Sequence, residues 1–255
     1  MIARVLLLCL VLPLASCDSR EPARLELPVR VSTAPLPPTL TSEGWTVTVT
    51  RARLVVSELE FTQLGEGHVR RPRWHGLLIP TAHAHPGHDA GGTVTGSLPG
   101  THVIPYPGGP EILGTATILE GRYRGFNFTF GIGDPALLPE GDPLGGRSAL
   151  LEGTARRGPE TVPFEAHVEL PDSTRMVGGV FEATLGPDQT GGLTIAFLTS
   201  DPIERVSLFD GVDFASVPRD LEGVARILPG TSLHNLLRRR VQDHAFHRIE
   251  WSPDP

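Results

Sequence analysis

Three phenylalanines at alternating positions constrain the fold of this chain more than any other feature of its sequence. Phe126, Phe128 and Phe130 are separated by polar residues. Because side chains at every second position of an extended chain lie on one face, the pattern predicts a strand over residues 121–131 with one face in an apolar core. A helix would spread the three rings around its circumference. The segment therefore favours a β-sheet fold.

The same period of two recurs along the chain. It predicts further strands at residues 45–50, 54–61, 162–170, 177–185, 193–198 and 246–251. The apolar positions change parity between Val49 and Leu54, so a bulge or a turn is expected there. The glycines and proline of residues 186–192 predict a turn, and the strands on either side of it are expected to pair as a hairpin.

One segment near the C-terminus has the period of a helix. Leu233, Leu237 and Val241 belong to an apolar stripe at helical spacing, and Thr231-Ser232 before it offers an N-cap. The 29 glycines and 25 prolines are enough to end many short strands. The sequence therefore predicts a single mainly β domain over residues 44–255, an antiparallel β-sandwich or barrel-like domain with one short C-terminal helix.

The N-terminus has the parts of an export signal. Arg4 supplies a positive start, and residues 5–14 form an apolar stretch too short to span a bilayer. The stretch ends in Leu14-Ala15-Ser16-Cys17, which resembles the lipobox of bacterial lipoproteins. The resemblance implies that residues 1–16 are removed as a signal peptide and that Cys17 is acylated. Cleavage as in an ordinary secretory signal would export the protein without the anchor.

The resemblance to bacterial lipoproteins also implies a location and partners. Acyl chains on Cys17 would hold the protein in the inner or outer membrane of a bacterial envelope, facing the periplasm or the cell exterior. Residues 17–43 are rich in proline and charge and are expected to form an extended tether. Besides the membrane, an envelope protein is an expected partner.

Charge and cysteine content exclude several kinds of site. The chain has 22 basic and 29 acidic residues, and every basic residue is arginine. We find no basic patch typical of nucleic-acid binding, and no lysine for Schiff-base chemistry or a phosphate loop. The lipoprotein resemblance implies that Cys9 is removed with the signal and that Cys17 is acylated, so any metal site is expected to be built from nitrogen and oxygen ligands.

Three of the ten histidines fall within six residues. His83 and His85 are two apart, so both imidazoles lie on one side of an extended chain, and Pro86-Gly87 can turn the chain to bring His88 and Asp89 round. Imidazole nitrogens bind copper(II), zinc and nickel(II), with copper(II) the tightest. The sequence predicts a copper or zinc site at His83, His85 and His88, with Asp89 as a further ligand. The alternative is a solvated loop whose histidines bind nothing.

Two other histidines are secondary candidates for metal ligands. His102 follows the cluster along the chain. His167 lies between Glu165 and Glu169, and the three side chains are expected to share the face of a strand opposite the core. Such a face can hold a metal, although it is more often the solvated face of an outer strand. The histidines near the C-terminal helix are expected to be packed and hydrogen-bonded.

The histidine cluster resembles the His-x-His-x-Asp-His motif of the metallo-β-lactamase superfamily, with His83, His85 and His88 at the histidine positions. The resemblance implies a zinc-binding loop that follows a strand. Position 87 is glycine where that family has aspartate, which removes a ligand of the second metal and a base for the attacking water. The strand-rich remainder also differs from the alternating α and β elements of that fold.

A second resemblance is to periplasmic β-rich domains found near copper-handling systems. It is carried by Gly121-Arg122-Tyr123 and Phe128-Thr129-Phe130-Gly131. It implies metal capture or delivery rather than catalysis.

These observations leave three hypotheses for function. The first is a lipid-anchored envelope protein that binds copper or zinc for storage, sensing or delivery. The second is a non-catalytic binding or scaffolding lipoprotein with incidental histidines. The third is a zinc-dependent hydrolase. The sequence has no Gly-x-Ser-x-Gly elbow, His-Glu-x-x-His helix or Walker loop, so it favours binding over catalysis.

Overall fold

A computed structural model of the chain describes residues 21–63, 92–108 and 112–254. In chain order the strands are β1 (Arg24–Val31), β2 (Thr39–Leu40), β3 (Thr46–Gln63), β4 (Thr93–Tyr106), β5 (Ile112–Leu119), β6 (Gly121–Phe130), β7 (Ala149–Arg157), β8 (Glu160–Val168), β9 (Arg175–Leu185), β10 (Gly191–Phe197), β11 (Ala225–Ile227) and β12 (His247–Pro253). The helix α1 (Ser232–Gln242) precedes β12, and a 3-10 turn at His244–Phe246 joins them. The predicted mainly β fold with one short C-terminal helix is confirmed.

The sheet closes into a ring of strands. Starting from β3, neighbouring strands follow the order β4, β5, β1, β10, β12, β9 and β6, and β6 pairs back with β3. The strands β7, β8 and β11 extend from the first half of β3 as a second arm. This architecture agrees with the expected barrel-like arrangement. Most pairings are antiparallel, but β1 with β10, β8 with β11 and β9 with β12 are parallel.

Strand β3 belongs to both the ring and the arm because it is long and bent. Its first half pairs with β7, and its second half lies between β4 and β6. The register with β7 shifts between Val49 and Arg51. This is where the apolar positions of the sequence change parity, so the expected bulge is confirmed and the two predicted segments form one strand.

Aromatic side chains fill the core of the ring. Phe126, Phe128 and Phe130 of β6 are all buried, as their spacing predicts. The ring of Phe128 packs edge-on against Phe130 with centroids 4.8 Å apart, and His247 lies 5.1 Å from Phe128. Burial of large aromatic surfaces, with edge-to-face packing between them, stabilises this part of the fold.

The structure corrects the prediction that residues 17–43 form an extended tether. Arg24–Val31 forms β1, which pairs with β5 on one edge and with β10 on the other. Leu25, Leu27, Val29 and Val31 are buried at period two. The prediction was wrong there because it weighed proline and charge content, whereas the charged residues and Pro28 alternate with a complete apolar face.

The predicted hairpin between residues 177–185 and 193–198 is also wrong. Both strands form, as β9 and β10, but β12 lies between them in the sheet. Leu193 of β10 pairs with Val29 of β1 on one side and with Trp251 of β12 on the other. The turn residues between β9 and β10 therefore carry the chain across β12. Local turn chemistry agreed with a hairpin, and long-range strand pairing overrode it.

Helix α1 begins where the sequence predicts. The Thr231 hydroxyl accepts a hydrogen bond from the backbone N–H of His234 at 3.1 Å and caps the first turn. The helix buries His234, Leu237 and Val241 against the sheet. Among the described residues, no helix has the length and apolar character needed to cross a bilayer.

Candidate functional site

The predicted metal ligands belong to the connection between β3 and β4. His83, His85, His88 and Asp89 lie in residues 64–91, outside the described residues, and so does Cys17. Their assignment as ligands and as the lipidation site stays a prediction. The described residues show where this connection leaves the fold and where it returns.

Both ends of the connection are held in the β3–β4 ladder. Gln63 pairs with Thr93, and Thr62 pairs with Val94. The side-chain Nε2 of Gln63 also donates to the carbonyl oxygen of Glu120 at 2.9 Å. Gly92 passes so close to the Gln63 carbonyl that a Cβ at this position would overlap it. The two ends are therefore fixed at the spacing of paired strands, about 5 Å.

The N-terminal side of the described chain leaves the ring at this same end. Arg24, the first residue of β1, pairs with Leu119 at the end of β5. Tyr123, just after the turn from β5 to β6, pairs with Gln63. Only residues 18–23 separate Cys17 from β1. Fully extended, they span about 20 Å.

His102 lies on β4, opposite Val56 of β3. Its Nε2–H donates to the carbonyl oxygen of Pro99 at 3.0 Å. This local hydrogen bond uses the Nε2 atom, which therefore does not serve as a metal ligand in this conformation. Within residues 21–63, 92–108 and 112–254, no three His, Cys, Asp or Glu side chains come close enough together to hold a metal ion. If His102 binds a metal, the remaining ligands must come from residues outside these ranges.

His167 lies on the outer face of β8, as its alternation predicts, but it is not solvated. It is 7% exposed. Its Nε2–H donates to the Glu165 carboxylate, and the Arg226 guanidinium from β11 contacts the same carboxylate at 2.8 Å. The Nε of Arg226 donates to Asp220 at 2.7 Å. The expectation of a simple solvated face is therefore wrong at His167.

This network binds β11 to β8. The hydrogen bond that Arg226 donates to Asp220 raises the pKa of Arg226, and the nearby charges of Glu165 and Asp220 add to this rise, whereas burial opposes it. Backbone N–H donation from Val224, followed by the bond with Arg226, lowers the pKa of Asp220. Both groups stay charged, and Arg226 balances the charge on Glu165. A cation at this face would have to displace Arg226.

Sequence reasoning missed Arg226 and Asp220, because they meet Glu165 only through a long-range parallel pairing.

The two buried histidines near α1 are packed and hydrogen-bonded, as expected. The Nε2 of His234 accepts the backbone N–H of Glu169 at 3.1 Å, and burial, aided by Arg238, lowers the pKa of His234. The Nε2–H of His247 donates to the Val241 carbonyl at 2.7 Å, and complete burial lowers its pKa to about 4. Both imidazoles are therefore neutral near pH 7.

Comparisons of the chain with protein-family models, with curated proteins and with solved structures gave no match. The functional argument therefore rests on the chemistry of the residues and on where the fold places them.

Proposed function

We propose that this chain is a lipid-anchored bacterial envelope protein that binds copper or zinc through His83, His85 and His88. The observation that carries the proposal is the density of the cluster, three imidazoles within six residues around Pro86-Gly87. Neutral imidazole is a strong ligand for both metals. Asp89 adds an oxygen ligand, which would complete a four-coordinate site.

The fixed base of the β3–β4 connection supports binding by this segment. Because Gln63 and Thr93 are already paired, folding of the domain covers the free-energy cost of bringing the two ends together. Metal binding then has to order only the segment between them. An isolated peptide of the same sequence would bear both costs.

The short link between Cys17 and β1 supports a role at a membrane surface. With acyl chains on Cys17, residues 18–23 would keep the Arg24 end of the ring within about 20 Å of the bilayer. The β3–β4 connection leaves the ring at this end. A metal held there lies close to the membrane, which suits storage, sensing or delivery of an ion at that surface.

Two features favour binding over hydrolysis. Glycine at position 87 replaces the aspartate that the metallo-β-lactamase motif uses for its second metal. With Asp89 as the fourth ligand, a zinc site is closed, whereas catalytic zinc sites keep an open position for water. The proposal therefore assigns the site to metal capture.

The test is a competition titration of the full-length protein, in a non-ionic detergent, with copper(II) and with zinc against a chromophoric chelator. We expect the triple variant with His83, His85 and His88 changed to alanine to bind at least ten times more weakly. His244→Ala, a histidine near the C-terminus, is the control and should keep the wild-type affinity. Equal affinity of the triple variant and the wild type would contradict the proposal and favour a scaffolding lipoprotein.

The same proteins test the hydrolase alternative. Zinc-dependent turnover of a generic ester or lactam that disappears in the triple variant would favour the hydrolase over the metal-capture function. Mass spectrometry of the N-terminal peptide tests the anchor separately. We expect an acylated Cys17 in the wild type, and an unprocessed N-terminus in Cys17→Ala. A mature protein whose first residue is not Cys17 would contradict the lipid anchor.

A further inference from the structure

The face of α1 that points away from the sheet carries a groove rich in hydrogen-bond donors. The residues buried by α1 lie on its other side. The groove, which we call the arginine groove, is lined by Ser232, Asn235, Leu236, Arg239, Arg240 and Asp243. These positions follow helical spacing and lie on one face. The groove is therefore a continuous surface of α1.

Its arginines lack partners within the described part of the chain. Arg239 and Arg240 form no ion pair with a carboxylate there, and the same holds for Arg122 and Arg124 of β6, which line a surface pocket together with Glu182. This occurs in a protein with a net charge of −7. An acidic chain that leaves adjacent guanidinium groups unpaired presents a local cationic surface to anionic ligands.

Asp243, the acid of the groove, is engaged elsewhere. Its Oδ1 accepts the backbone N–H of Ala245 at 3.1 Å and lies 3.1 Å from the Nδ1 of His244. Arg239 and Arg240 are in the last turn of α1, where the helix dipole favours positive charge. The dipole accounts for basic residues at this position, but it does not occupy their N–H donors.

The neutral residues give the groove length and a fixed position. Ser232 and Asn235 add uncharged donors, and a Cβ at Gly211 would touch the Leu236 side chain, so the helix packs closely against the neighbouring loop. From Ser232 to Arg239 the donors extend along two turns, about 10 Å. Arginine forks bind carboxylates in pairs of parallel hydrogen bonds. A row of this length fits several carboxylates better than one compact anion.

We propose that the arginine groove is a docking site for an acidic segment of a partner protein. α1 leads into β12 at His247, which pairs with Phe197, and this end of the ring is opposite Arg24. An anchor at Cys17 would place the end of α1 at the end of the ring far from the anchoring membrane, which favours a protein over lipid headgroups. The choice of a protein rather than a lipid as the ligand rests on the proposed anchor at Cys17. The assignment of the groove as an anion-binding surface does not depend on that anchor.

The test measures fluorescence anisotropy of a fluorescein-labelled decaglutamate peptide with the full-length protein in non-ionic detergent at low salt. We expect binding that weakens as salt rises. The variant R239E/R240E should bind at least ten times more weakly, and R239Q/R240Q should show a smaller loss. The matched control is R122E/R124E, which makes the same charge change on exposed arginines of β6. It should bind within twofold of the wild type.

Three results would overturn the proposal. Equal losses in R239E/R240E and R122E/R124E would mean a response to overall charge. Unchanged binding by R239E/R240E would remove the groove as the site. Binding to phosphatidylglycerol vesicles that depends on Arg239 and Arg240, without binding of decaglutamate, would assign the groove to lipid. Neither Arg239 nor Arg240 is buried, so R239Q/R240Q should unfold close to the wild-type temperature, and R239E/R240E should lose only the small stabilisation that positive charge gives the end of the helix. None of these results depends on metal binding, so they are independent of the titration of His83, His85 and His88.

Discussion

Acid is expected to destabilise this fold through one buried histidine. His247 begins β12 and lies between the rings of Phe128, Phe130 and Phe197. Its Nε2–H donates to the Val241 carbonyl, and complete burial lowers its pKa from 6.5 to about 4. The folded protein therefore resists protonation of a group that the unfolded chain protonates readily.

The size of the effect follows from the gap between the two pKa values. Between 6.5 and about 4 the unfolded chain binds more protons than the folded protein, so the free energy of unfolding falls as the pH falls through this window. At about 1.4 kcal/mol per pH unit, the loss attributable to His247 is about 3 kcal/mol. Below the folded pKa no further loss comes from this residue.

The assay is urea unfolding at several pH values between about 7 and about 4, followed by tryptophan fluorescence. His247→Gln is the comparison, because its amide can donate to the same carbonyl and does not titrate. Titration of His234 and of the carboxylates is common to both proteins and cancels. We expect the wild type to lose about 3 kcal/mol more than the variant. Parallel pH dependences would refute the buried, neutral assignment of His247.

Three further predictions concern the stability of the fold, each measured by urea unfolding near pH 7. Arg53→Met should cost about 3–5 kcal/mol, because it removes the two hydrogen bonds of 2.7 and 2.8 Å that Arg53 donates to Asp142 and leaves a carboxylate that is only 9% exposed without its cation. A loss below about 1 kcal/mol would contradict this. Phe128→Ala should cost about 3–5 kcal/mol through the cavity left in the ring, and a near-neutral result would mean that the core is not packed as described. Thr231→Ala should cost about 1 kcal/mol by removing the α1 cap, and Thr231→Ser should restore most of it; equal losses in both would rule out the hydroxyl as the cap.

Local alternation predicted six of the twelve described strands, β3, β6, β8, β9, β10 and β12, and missed the other six. A strand with one buried face needs only a period of two, which residues 121–131 and 162–170 have. The bulge in β3 was predictable for the same reason, since a parity change requires an extra residue. β1 was missed although Leu25 and Val29 follow this period, because the segment was judged by its composition.

Strand neighbours were harder to predict than strands. The parallel pairing of β1 with β10, and the place of β12 between β10 and β9, join segments far apart in the chain. Alternation fixes which face is buried and carries no information on which strand lies alongside. For this reason the local turn before β10 led to the wrong hairpin.

The same limit applies to the candidate sites. Parity placed Glu165 and His167 on one face, and the structure confirms that they meet. The burial of His167 and its link to Arg226 depend on β11, which pairs with β8 from a distant part of the chain. The density of His83, His85 and His88, by contrast, is a property of the sequence itself.

The central claim is tested most directly by the metal content of the protein purified from the cells that naturally produce it, without added metal. Elemental analysis should find copper or zinc in an amount equal to that of the protein. The variant with His83, His85 and His88 changed to alanine, purified in the same way, should contain little of either. A metal-free wild-type protein, or equal metal in both proteins, would contradict the account.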